Sequence, residues 1–234
     1  MGVHRQCMRD RIKQVLLDRI LNGTYRPGDR LVELQIAREM DTSQAPVREA
    51  LRELAAVHLV ETESYRGTRV RQISARELRE SYQVRAMLEE MAAQSAAPRF
   101  QSKPEPLQAA LANLLAATQS QNLECLARQN GAFHRLIVET SDNSILLRVW
   151  DSLSIEVWTR INLRLLAQTT VNLQEVIEEH QPIVDALVRG DGKTAGYLLR
   201  RHAETVLLPE IDDVSETPKQ GETARVMRER EDVG

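Results

Sequence analysis

From Ser74 to about residue 210 the apolar residues recur with a helical period, and that feature confines most of the chain to a helical bundle. The spacing predicts six helices, over 74–97, 104–119, 122–140, 144–167, 172–189 and 192–208. Pro98, Pro104, Asp142-Asn143, Gly190-Asp191 and Pro209 punctuate them. Composition agrees with helices. Aromatics are only 3% of the 234 residues, Leu and Ala dominate, and 10 Gly with 8 Pro are too few for a turn-dense β protein. Residues 213–234 are polar, charged and without period, which predicts a disordered tail.

The first 73 residues read differently. Helical spacing covers 8–22, then about 32–40 and 44–57, with a turn at Tyr25-Arg26-Pro27-Gly28-Asp29 between the first two. The period then changes to a strand at 58–63, a loop at Ser64-Tyr65-Arg66-Gly67 and a returning strand at 68–71. Three helices followed by a β-hairpin is the order of a winged helix-turn-helix. The expected fold is therefore mainly α, with a winged helix-turn-helix over 1–73 and an all-α bundle over 74–212.

Charge separates the same two regions. Residues 1–72 carry 13 Lys+Arg against 10 Asp+Glu, whereas residues 73–212 carry 14 against 18. Only the N-terminal third leans basic, nearly all of it through Arg, which suits a module that binds a polyanion. No run approaches the roughly 18 apolar residues of a membrane helix. The N-terminus lacks a signal peptide's apolar stretch, and Cys7 and Cys125 are isolated thiols. These features predict a soluble cytoplasmic protein with no membrane partner.

The third helix divides into two faces. Ser43 stands where an N-cap is needed and Pro46 falls in the first turn. Val47, Ala50, Leu51 and Leu54 share an inward face, while Gln44, Arg48 and Arg52 follow one another at intervals of four on another side. A recognition helix needs this division, one face anchored and the other free to enter a major groove. Arg reads guanine and Gln reads adenine through paired hydrogen bonds. Arg66, Gly67 and Arg69 at the hairpin tip would lie near a phosphate strand or minor groove. A merely solvated surface helix shows the same division, so the pattern alone leaves both readings open.

The motifs around it are more specific. Tyr25-Arg26-Pro27-Gly28-Asp29-Arg30-Leu31-Val32-Glu33, Ile36-Ala37, the run from Ser43 to Leu54, and Leu59-Val60 with Arg66-Gly67-Thr68-Arg69-Val70 resemble the GntR family of bacterial transcription regulators. The resemblance implies DNA contacts from Arg30, Ser43, Gln44, Arg48, Arg52, Arg66 and Gly67. Gln44 stands where the family commonly has Arg.

The remainder is similar to the ligand-binding FCD domain of the FadR subfamily. The residues that carry this are Tyr82 to Glu89, Phe133-His134, the Asn143 turn, Glu179-His180 followed by Asp191, and His202. Many such domains hold a divalent metal through one Asp and three His, so the resemblance assigns His134, His180 and His202 as ligands. Asn130 stands at the Asp position, leaving the site one negative charge poorer. Three imidazoles still suit Zn or Ni, and Mn is a further candidate. Arg85 is either the partner of an effector carboxylate, as the resemblance implies, or the partner of Glu89 four residues on.

The resemblance thus implies a homodimeric regulator, more often a repressor, that binds a palindromic DNA operator and answers to a small organic acid. The alternative is a metal-dependent hydrolase with a DNA-binding appendage. In that case Glu178 or Glu179, beside His180, would have to serve as the base, and nothing in the sequence places either at a metal.

Overall fold

The computed structural model describes residues 7–63, 66–120, 122–167, 169 and 171–205. The expected disordered tail at 213–234 lies outside the described residues, as do Ser64 and Tyr65 of the predicted loop.

Chain order begins with α1 (Met8–Leu21), β1 (Arg30–Leu31), α2 (Glu33–Glu39), α3 (Gln44–Ala56), β2 (Val60–Glu63) and β3 (Gly67–Val70). Ile12 and Leu16 of α1, Ile36 of α2, and Val47, Ala50, Leu51 and Leu54 of α3 are buried together over Val60 and Val70 of the sheet. The hairpin register pairs Val60 with Val70 and Glu63 with Gly67. Gly67 opens β3 at a positive φ of 81°, a conformation that costs glycine little. The sequence reading places no strand at Arg30–Leu31. The structure pairs β1 antiparallel with β3, Arg30 opposite Arg69, so the sheet order is β1-β3-β2. Two residues are too few for alternation to show, and only the neighbouring β3 gives this segment its hydrogen-bond partners.

The bundle follows as α4 (Ala75–Ser102), α5 (Glu105–Gln119), α6 (Leu123–Thr140), α7 (Ser144–Ser152), α8 (Ile155–Leu166), α9 (Leu173–Glu178), α10 (His180–Val188) and α11 (Gly192–Thr205). Among the described residues, eight helices therefore stand where six were expected. Ser74 starts α4 with a capping box, its hydroxyl accepting from the Glu77 N–H while the Glu77 carboxylate accepts from the Ser74 N–H. That helix does not end at Pro98 but continues through it to Ser102. Ala96, Ala97 and Phe100 on both sides of Pro98 are buried in the core, and their packing outweighs the one missing backbone bond.

The other two corrections are breaks. The predicted helix 144–167 divides at Ser154, which sits in the left-handed region at φ 51°. A continuous helix would set Trp150 and Ile155 about 140° apart around its axis, and the turn lets both be buried. The predicted helix 172–189 divides at Glu179, and His180 opens α10. Glu178, four residues before Pro182, is the last residue of α9, so the break lies where a proline's missing N–H and its ring against the i−4 carbonyl interrupt a helix.

Candidate metal centre and DNA-reading face

Three helices bring the histidines together. Asn122 caps α6, its side-chain oxygen accepting from the Cys125 N–H at 2.9 Å. Asn130 and His134, four residues apart on that helix, then share its buried face with Phe133 and Ile137. His180 opens α10, and His202 lies on the buried face of α11. The α11 backbone runs close to α4. A Cβ on Gly192 would lie 2.7 Å from Gln94 Cα, and one on Gly196 would lie 3.0 Å from the Glu90 carbonyl oxygen.

His134 and His180 are wholly buried and His202 nearly so, and one ligand atom from each lies within 4.8 Å of the others. The chemistry outside the rings fixes their protons. Nδ1 of His134 is 2.8 Å from Glu89 Oε2, Nδ1 of His180 is 3.0 Å from the Ile177 carbonyl, and Nδ1 of His202 is 2.9 Å from Glu179 Oε2. Carboxylates and carbonyls only accept, so each Nδ1 donates and each neutral ring keeps its lone pair on Nε2. The Nε2 atoms of His134 and His180 face one another at 3.2 Å. At that distance either a proton on one nitrogen or a cation between two lone pairs holds the pair together. Zn–N bonds in a tetrahedral site hold nitrogens about 3.3 Å apart. Asn130 Oδ1, 3.1 Å from His180 Nε2, adds a fourth donor. The residues therefore fit a divalent metal.

Charge is arranged around this cluster. Arg85 and Glu89 of α4 form an ion pair at 2.7 Å, both buried. Glu89 Oε1 also accepts from Trp150 Nε1 at 3.4 Å. Burial alone would raise the Glu89 carboxyl, but Arg85 and His134 outweigh it and bring it down to about 2. Burial pushes the His134 imidazole down to about 4, helped by Arg85 and opposed by Glu89. Burial, then His202 and His134, hold His180 well below its ordinary value. Both rings are thus neutral near pH 7, as metal ligands must be.

The Glu89 partner expected for Arg85 is present, but it does not use up the guanidinium. Nη1 reaches Thr159 Oγ1 at 3.3 Å, the Tyr82 ring lies 5.2 Å from the guanidinium carbon and interacts with its charge, and buried Nη2 makes no hydrogen bond of good geometry among the described residues. A buried donor on a charged group without a good hydrogen bond is costly and marks a place for an acceptor. Val84, Met87 and Met91, which the sequence groups around Arg85, lie instead on the exposed face of α4. Glu89 and Trp150 were not among the expected site residues. The spacing of Arg85 and Glu89 signals their pair, but nothing in the sequence signals the contact with His134.

On the winged segment, Gln44, Arg48 and Arg52 lie exposed along α3, opposite its buried Val47, Ala50, Leu51 and Leu54. Ser43 occupies the N-cap position without a side-chain capping bond. Arg48 is held by Glu33 at 2.9 Å, and exposed Arg66 by Glu63 at 3.1 Å. Arg30, also exposed, stretches along the wing, its guanidinium 3.3 Å from where a Cβ on Gly67 would sit. The positive φ of Gly67, more than this exposed side chain, is what disfavours a larger residue there.

Comparison with known proteins agrees with this architecture. Residues 8–70 match the family described as bacterial regulatory proteins, gntR family, and residues 80–205 match the FCD domain. A probable D-xylose utilization operon transcriptional repressor of Paenarthrobacter nicotinovorans is 34% identical over 203 residues, spanning 87% of this chain and 88% of its own. The gluconate operon transcriptional repressor of Bacillus subtilis (strain 168) is 26% identical over 188 residues, 77% and 76% of the two chains. Among solved structures, a putative GntR transcriptional regulator from Rhodococcus sp. RHA1 superposes with a TM-score of 0.66 at 26% identity, over 84% of this chain and 94% of that one. These relatives are transcription regulators and not enzymes, which removes the hydrolase alternative. The chain is a DNA-binding transcription regulator of the GntR family, with an FCD domain behind its winged helix-turn-helix.

Proposed function

We propose that this protein is a repressor whose operator affinity is set by a small organic acid held beside a divalent metal in the helical bundle. The observation that carries the reading is the convergence of three buried histidines, one ligand nitrogen of each within 4.8 Å of the others, with a buried guanidinium tied to the same cluster through Glu89. His134, His180, His202 and Asn130 would hold the ion, whose role is that of a Lewis acid gripping an oxygen of the effector. Glu89 and Glu179 orient two of the rings, and Arg85 offers Nη2 to the effector's carboxylate. Zn, Ni and Mn are the candidate ions.

Residues 1–73 form the DNA-binding domain and residues 74–212 the effector-binding domain. Two copies of the chain, as a homodimer, would set α3 of each winged segment on the half-sites of a palindromic operator. Gln44, Arg48 and Arg52 face the groove from α3, with Ser43 at its start, and Arg30, Arg66 and Gly67 approach the backbone from the wing. The relatives named as repressors of D-xylose utilization and gluconate operons support repression as the sign of control.

Metal content of untagged protein, measured by plasma mass spectrometry beside a His134→Ala control, tests the site. With acetate kept in the buffers throughout, about one ion per chain, lost in the variant, is expected; no ion in either protein would remove the metal from the reading. Arg48→Ala should weaken operator binding by about 1–3 kcal/mol if Arg48 reads a base, and unchanged affinity in a folded variant would deny it that role.

A further inference from the structure

The four donor groups of the metal centre share one property: all are neutral. Three are imidazoles whose protons are turned outward, and the fourth is the amide oxygen of Asn130. Two carboxylates touch the rings from outside. Glu89 is already paired with Arg85 at 2.7 Å, so it leaves little net charge to balance an ion. Glu179 is 47% exposed and largely screened by water. A dication placed among these groups adds two charges to an interior whose buried anion is already committed. Uncompensated buried charge is strongly unfavourable.

A second observation points to what completes the balance. Arg85 is 2% exposed, its Nη2 makes no hydrogen bond of good geometry among the described residues, and its field reaches both His134 and His180. An anion beside the guanidinium satisfies that donor and offsets the ion together. A carboxylate suits both tasks, because its two oxygens serve a guanidinium and a cation at once.

We infer that Asn130 makes this site a coincidence detector, in which the metal and a carboxylate bind as a linked pair and each binds weakly without the other. The inference rests on the metal-centre reading above and adds the coupling to it. With an aspartate at this position the protein would supply the missing charge itself, and the ion would bind without help. With Asn130 the charge comes from the effector. Linkage makes the coupling reciprocal, so the metal raises carboxylate affinity by the same factor.

The test uses full-length protein and Zn2+ set by a chelator buffer, so that acetate's own weak hold on zinc does not enter. Zinc affinity is measured in chloride and then with acetate as the sole carboxylate. The wild-type protein should bind zinc about tenfold more tightly in acetate. Asn130→Asp should bind zinc tightly in chloride already and gain little from acetate, and the absorption of bound Co2+ should respond to acetate only in the wild type. Arg85→Met, if folded, should keep weak zinc binding and lose the acetate effect. Equal wild-type affinity in the two buffers, or an undiminished acetate gain in Asn130→Asp, would overturn the inference. Absence of zinc binding by the wild type in both buffers would instead overturn the metal centre on which it rests.

Discussion

At the residue scale the site depends on Glu89. One buried carboxylate accepts from Arg85, His134 and Trp150, so it fixes a cation, an imidazole and an indole in a single geometry. The neutral histidines around it give the fold a pH signature. The His134 pKa is about 4 in the folded chain and near 6.5 unfolded, so the unfolded chain binds more protons between those values. Stability is fully present above about pH 6.5 and is lost as pH falls through 4, by roughly 1 kcal/mol per pH unit and imidazole. His180, shifted in the same direction, adds to the slope. Urea unfolding of metal-free protein at pH 7 and pH 5 checks this, and a midpoint that does not move would show that the rings are already protonated when folded.

At the element scale the close approach of α4 and α11 sets the position of His202 relative to the other ligands. Gly192 and Gly196 allow it, since a Cβ at either position would press on α4 backbone rather than on a side chain that can turn away. Gly192→Ala should therefore separate the helices, cost about 1–3 kcal/mol in urea unfolding and weaken zinc binding in the same chelator competition. Unchanged zinc affinity would mean that His202 keeps its place by other contacts. The breaks at Ser154 and Glu179 belong to this scale too. The hydrophobic period runs through both positions; the first break lets Trp150 and Ile155 both be buried, and the second falls where Pro182 meets the Glu178 carbonyl.

At the scale of the whole molecule the winged segment and the bundle meet across a cleft of about 360 Å³. Gln14, Leu17 and Leu54 line it from one side and Trp150, Ile155 and Gly131 from the other. Trp150 therefore touches both Glu89 and the cleft, and α6 carries Asn130 and His134 on one face while Gly131 and Arg135 face the winged segment. Beside the cleft, nearly buried Arg160 of α8 meets Asp18 of α1 at 2.6 Å and Glu124 of α6 at 3.5 Å. Asp18→Ala removes the shorter contact. Because Asp18 is 37% exposed, water takes part of the load, and a loss of about 1 kcal/mol is expected in urea unfolding. Small-angle scattering should show a broader spread of domain orientations, and an unchanged profile would mean that the cleft lining and the Gln14–Glu124 contact hold them without Asp18.

The sequence by itself determined the winged helix-turn-helix order and the helical bundle, which rest on local period, turn residues and motif spacing, all of which act within a few residues along the chain. The three histidines, far apart in the chain, were singled out only by the resemblance to the FCD domain. Only the tertiary structure decided that Arg30–Leu31 is a strand, that Pro98 stays inside a helix and that Glu89 holds His134 from 45 positions away. It also decided that Arg85 keeps a buried donor without a good hydrogen bond among the described residues, despite its ion pair. Each of these depends on which side chains meet in three dimensions, where burial and the absence of competing water outweigh local preference.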